Sequence, residues 1–216
     1  LYIAGGTITI NAPVHGALVI VGGTVIINDS ILGDILIGGG NLTLNGFVSS
    51  DLRGMGGEIH LSKNVDGDVL IAGGTLYIEK NVIIGNLMAA GGKITLDGMV
   101  TNDIKIAAGE FIHNGRIGGN LDFKGDKITI NGEVGGLSSI AAGTAFMIRK
   151  SAIFRRDVRY WVPGNEPAFG SSLSNAKAEM DLTLKMNEKR WYFLGWGSVI
   201  FLIWYMGMAL LMIMAI

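Results

Sequence analysis

The sequence predicts an all-β protein: a parallel β-helix of about nine 17-residue coils, followed by a linker and a transmembrane α-helix. Three observations predict it. A Gly-Gly-like pair returns every 17 residues, apolar side chains keep fixed offsets from that beat, and the last 26 residues carry no charge. Composition narrows the field further. With 34 Gly, 3 Pro and 49% hydrophobic against 16% charged residues, disorder from low hydrophobicity is excluded. The absence of cysteine removes disulfides, thiolate metal sites and cysteine nucleophiles.

The beat falls on Gly6, Gly23, Gly40, Gly57, Gly74, Gly92, Gly109, Asp126 and Gly143, with one 18-residue step between Gly74 and Gly92. Apolar residues follow two after it (Ile8, Val25, Leu42), eight after it (Val14, Ile31, Val48, Val65, Val82, Val100) and twelve or thirteen after it (Leu18, Ile35, Leu52, Leu87). Within a coil they alternate with polar residues at a period of two, in short bursts broken by Gly, Asn or Asp. That is strand spacing interrupted by turns, and a helix with so much glycine would lose about 1 kcal/mol per site. The expected coil therefore has three short strands and three turns. Nine such coils, rising about 4.8 Å each, make a rod roughly 40 Å long.

Two polar columns mark the corners. One reads Asn11, Asn28, Asn45, Ser62, Glu79, Asp97, Asn114 and Asn131; the other reads Asp34, Asp51, Asp68, Asn86, Asp103 and Asn120. Such residues tolerate bends and can bond to stacked copies of themselves. A calcium loop needs oxygens converging from one segment, so one carboxylate per coil reads as turn capping.

The coils Val69 to Gly74, V-L-I-A-G-G, and Ile31 to Ile35, I-L-G-D-I, resemble those of bactofilins. The resemblance covers residues 1 to about 148. It implies a right-handed β-helix and a bacterial, polymer-forming cytoskeletal role. The nine beats and the C-terminal apolar segment depart from a compact bactofilin core.

Enzymatic β-helices are disfavoured. Hexapeptide coils need 18 residues per turn, and only one coil has that length. A zinc site needs converging histidines, whereas His15, His60 and His113 lie in different coils at different offsets. Strings such as Gly38-Gly39-Gly40 repeat at every coil and open no helix, so they are turns and not phosphate loops. No catalytic residue, metal, cofactor or small-molecule substrate is expected.

Position thirteen points outward on one wall: Tyr2, Val19, Leu36, Arg53, Leu70, Met88, then Lys105, Asp122 and Ser139. The apolar members Tyr2, Val19, Leu36, Leu70 and Met88 form a candidate lateral interface, since monomers avoid exposed apolar stripes. The competing reading is strand propensity alone. Beside them lie small residues, among them Ala4, Val21, Ala72 and Ala90.

After Gly143 the rule breaks. Phe146, Phe154, Tyr160 and Trp161 arrive with Arg149, Lys150, Arg155, Arg156 and Arg159, which suits a cap over an open coil end or contact with anionic headgroups. The β-helix with its cap is assigned to residues 1–162, and the linker and juxtamembrane segment to 163–190, within which Ala176 to Arg190 is expected to form a short surface helix. Residues 191–216 are long enough to cross a bilayer. Lys189, Arg190, Trp191, Tyr192 and Trp196 fit its interfacial belt.

Charge is segregated: residues 1–148 carry a net −5 and residues 149–190 a net +4. An acidic rod and a short basic stretch argue against nucleic acid. Lys185, Lys189 and Arg190 lean towards a cytoplasmic rod, and a cleaved export signal before Leu1 would reverse that. The expected partners are membrane lipid and either the protein itself or other subunits of a membrane complex. The expectation is a non-enzymatic scaffold at a prokaryotic cell membrane, with an accessory subunit of a larger complex as the alternative.

Overall fold

The structure is a computed structural model that describes residues 1–164 and 166–186. Leu1–Leu184 form one compact unit, a parallel β-solenoid of about ten turns. Its long sheet stacks eleven strands in chain order: Tyr2–Ile10, Leu18–Ile27, Ile35–Leu44, Leu52–Leu61, Val69–Ile78, Leu87–Leu96, Ile104–His113, Leu121–Ile130, Ser138–Ile148, Val158–Trp161 and Ala178–Met180. A narrow second wall is made of two-residue strands such as Met99–Val100 and Arg116–Ile117. Single bridges at Val48 and Val65 carry that wall through the middle coils.

The three short strands expected per coil are one long strand and one short rung. The long strand bends at the glycine pair without losing its ladder. Leu18 and Ile20 point inward before the bend, and Val25 and Ile27 after it, so the alternation changes phase at Gly22-Gly23. Close backbone approach favours glycine at this bend: a Cβ on Gly39 would lie 2.2 Å from the Gly22 carbonyl oxygen, and one on Gly40 2.8 Å from that of Gly23, although Ala108 and Ala142 take the Gly39 column in later coils.

Register places identical offsets above one another, as in Leu18↔Ile35↔Leu52↔Val69↔Leu87↔Ile104↔Leu121. These side chains fill a continuous interior in which most are at most 2% exposed. Burying each contributes roughly 1.5–3 kcal/mol, and this column of Leu, Ile and Val fixes the 17-residue period. One column differs from expectation. Ile84, not Val82, pairs with Val65 and Val100, because a turn over Lys80 and Asn81 absorbs the extra residues; Val82 is buried beside it.

The second polar column is a continuous hydrogen-bonded ladder, and the first is one in two stretches, Asn11 to Asn45 and Asp97 to Asn131. Asn28 Nδ2 donates to Asn11 Oδ1 at 2.8 Å, Asn45 to Asn28 at 3.0 Å and Asn114 to Asp97 at 2.6 Å. In the second column each side-chain oxygen accepts a backbone N–H from the next coil: Asp34 from Asp51, Asp51 from Asp68, Asp103 from Asn120, and Asn120 from Leu137. Turn donors that no sheet partner reaches are thereby satisfied.

The period then lengthens to about 20, as shown by Ser138↔Val158↔Ala178. Residues 166–184, within the stretch that proline and glycine mark as a linker, carry a further turn. Gly164 (φ 86°) and Gly170 (φ 51°) take the left-handed conformation that lets the chain reverse. Leu173 bridges to Phe154, and Ser172 is buried. Over Ala176–Met186 no surface helix forms; Ala178–Met180 is a strand, followed by a 3₁₀ turn at Leu182–Leu184. No helix among the described residues is long and apolar enough to cross a membrane. The expected span at 191–216 and its belt, Lys189, Arg190, Trp191, Tyr192 and Trp196, lie outside the described residues.

Candidate functional site

The flank built by position thirteen is one column in register: Tyr2↔Val19↔Leu36↔Arg53↔Leu70↔Met88↔Lys105↔Asp122↔Ser139↔Arg159. Parallel pairing forces this alignment, since strand neighbours share a face. Tyr2 is 67% and Met88 51% exposed, while Val19, Leu36 and Leu70 are half-buried against their neighbours. Arg53 interrupts the apolar run and is held by Asp51 at 2.9 Å. Of the small residues alongside, Ala72 is buried and Ala4 is exposed. From Lys105 onward the flank is charged, with Lys105 3.8 Å from Asp122.

Between this column and the Asp/Asn ladder runs an open groove of about 870 Å³. Its walls include Asp51, Asp68 and Asp103 on one side and Leu70, Met88 and Lys105 on the other. It lies on the outside of the coils. The ladder residues that line it already spend an oxygen on the turn beneath, so they present an acidic, largely satisfied edge. Asp34, which precedes Asp51 in the same column and lies outside the groove, accepts a hydroxyl from Ser50 at 2.5 Å and the Asp51 N–H, and these hold its own carboxyl below the usual range.

The neighbouring long-strand face carries polar pairs. His60 Nε2 lies 2.9 Å from Glu79 Oε1, and its ring centroid is 5.1 Å from that of Tyr77. Tyr77 donates its hydroxyl to Asp97 at 2.8 Å, which pushes the phenol up. The two carboxylates thus serve different aromatic partners, Glu79 the His60 ring and Asp97 the Tyr77 hydroxyl, with Asp97 also held by Asn114. Glu110 sits between Lys127 at 3.0 Å and Lys93 at 3.4 Å, and the Lys127 contact holds its carboxyl down. His113 is wholly buried; burial pushes it down to about 4, although Nε2 lies 3.1 Å from the Glu133 carbonyl oxygen. His15 is exposed. The three histidines stay apart, and among the described residues no group of three or more His, Asp or Glu could hold a metal ion.

The terminal turn divides the expected cap residues. Phe146, Phe154 and Tyr160 are buried, and Phe169 joins them with ring centroids 5.8, 6.1 and 5.4 Å away. Phe169 lacks the 17-residue register and so had no signal in the repeat. Trp161 is half-buried in register with Ala141 on the outer wall. Arg155 binds Glu133 at 2.5 Å and Arg159 binds Asp181. The Arg155 contact pulls the Glu133 carboxyl down and raises the guanidinium. Arg149, Lys150 and Arg156 are exposed and form no ion pair among the described residues.

Comparison with protein-family models, with curated proteins and with solved structures returns no match for this chain.

Proposed function

We propose that the chain is a non-enzymatic, bactofilin-like scaffold, anchored to a prokaryotic membrane through residues 191–216, that self-associates through its apolar flank. The observation that carries this reading is the register column from Tyr2 to Met88, apolar except at Arg53 and exposed most at its two ends. The column crosses six strands, about 25 Å of rise at about 4.8 Å per strand. A strip that long and two alternate residues wide offers a few hundred Å², well below the roughly 800 Å² per partner of a stable pairwise complex. Such a strip suits repeated weak contacts among many anchored copies, where tethering raises the effective concentration.

Light scattering and electron microscopy of the detergent-purified chain test it. Leu36→Lys with Leu70→Lys is expected to keep the β circular dichroism spectrum and to abolish large assemblies. Unchanged assembly rejects the flank as the interface. A discrete particle containing other polypeptides would replace self-association with the role of accessory subunit.

A further inference from the structure

The described part of the chain ends in a turn whose chemistry differs from that of the rod. Leu182 is 72% and Met180 37% exposed. In the last two turns Arg149, Lys150, Arg156 and Lys177 are also exposed and carry no ion pair among the described residues. Of the described acids in these turns, Asp181 holds Arg159, Asp157 accepts the Lys177 backbone N–H at 2.8 Å, and Glu166 and Glu179 are exposed; against these four stand seven Lys and Arg over residues 149–186, so the turns stay net basic. The remaining cations face solvent in the same two turns that expose Leu182 and Met180, at the end of a rod whose first 148 residues carry a net −5.

We infer that this terminal turn docks on anionic lipid headgroups, with Leu182 entering the interface and Arg149, Lys150 and Arg156 binding phosphates. The inference rests on the anchoring reading above, because residue 191, where the charge-free segment begins, is only nine positions beyond Leu182. Charge complementarity selects the occupant. An anionic surface attracts the basic tip and repels the acidic rod, so the same field that binds the end keeps the flank free. Each basic residue near such a surface strengthens association roughly fivefold, and screening shortens the reach to about 10 Å at 0.1 M salt.

The chain has no cysteine, so a single Leu182→Cys carries an environment-sensitive fluorophore without background. Full-length protein is placed in nanodiscs of phosphatidylcholine alone or with phosphatidylglycerol, and Glu58→Cys, an exposed site on the rod, serves as the control. The expected result is emission at shorter wavelength for the Leu182 label in phosphatidylglycerol discs, weakened by added salt and by Arg149→Gln, Lys150→Gln and Arg156→Gln together, with the Glu58 label unchanged. Water-like emission in both discs overturns the docking while leaving the anchor standing. An equal shift in both discs overturns the headgroup selectivity. A chain that fails to enter discs at all removes the anchor and the docking together.

Discussion

Acidification should destabilise this solenoid through one interior residue, and the size of the effect can be worked out. His113 occupies the column of Leu96 and Ile130 and is fully buried. Its partner is a carbonyl, an acceptor only, so Nε2 carries the proton and Nδ1 is bare and without a partner. Protonating the ring would place a charge among Phe111 and other apolar side chains, which is why burial lowers it from 6.5 to about 4. In the unfolded chain the ring titrates near 6.5. The neutral folded state is thus at full stability above about 6.5; it loses stability as the pH falls to about 4, because only the unfolded chain takes up the proton. A gap of about 2.5 units at 1.36 kcal/mol each is roughly 3 kcal/mol. Asp34, Glu110, Glu133 and Asp181, all held below their usual range, add an acid loss of their own, so the measurement must be differential. Urea unfolding of the wild type and of His113→Leu at pH 7 and pH 4 supplies it. The variant should lie within about 1 kcal/mol of wild type at pH 7, since one modest hydrogen bond is exchanged for apolar contact. It should lose roughly 3 kcal/mol less on going to pH 4. Parallel pH profiles for the two chains would refute the reasoning.

Three further outcomes follow from the packing. Gly115→Ala would bring a Cβ to 1.8 Å from the Gly98 carbonyl oxygen, whereas Gly6→Ala meets nothing within 4 Å; thermal melts should show a loss of about 1–3 kcal/mol for the first and almost none for the second. Asp103→Ala removes the acceptor of the Asn120 N–H, 2.7 Å away, and should cost about 1 kcal/mol, while Asp103→Asn should be close to neutral in the same melts because Asn86 and Asn120 already fill that role. Phe169→Ala empties the centre of three aromatic contacts and should loosen the last turn by roughly 2–3 kcal/mol, read as faster proteolysis between residues 162 and 178 with the earlier coils intact.

The repeat was legible because stacking puts one chemical demand on every seventeenth residue. The Leu18 to Leu121 column and the asparagine ladder could be read by counting, and the outward column from Tyr2 to Met88 came from the same count. Where the count changes, reading fails for a physical reason. Ile84 displaces Val82 because a turn absorbs extra residues, and both are apolar, so composition cannot choose between them. The turn over residues 166–184 has a 20-residue spacing and follows the glycine and proline of a linker; it is held by Phe169 meeting Phe146, Phe154 and Tyr160, contacts between residues that share no period. The division of the arginines was equally hidden, since Glu133 and Asp181, which claim Arg155 and Arg159, lie 22 residues away from each.

The bend glycines carry a consequence for how such a molecule can vary. The space where a side chain would sit at Gly39, Gly73 or Gly125 is filled by a carbonyl of the coil before it. The girth of the rod at these bends is therefore set largely by the backbone itself. Its length is not so constrained: each coil touches only the ones above and below, so a whole unit can be duplicated or deleted and the cut ends will still match. Inherited variation in this architecture should run mainly along the axis, in steps of one coil, with single extra residues taken up as local turns or a bulge, as in the longer coils here.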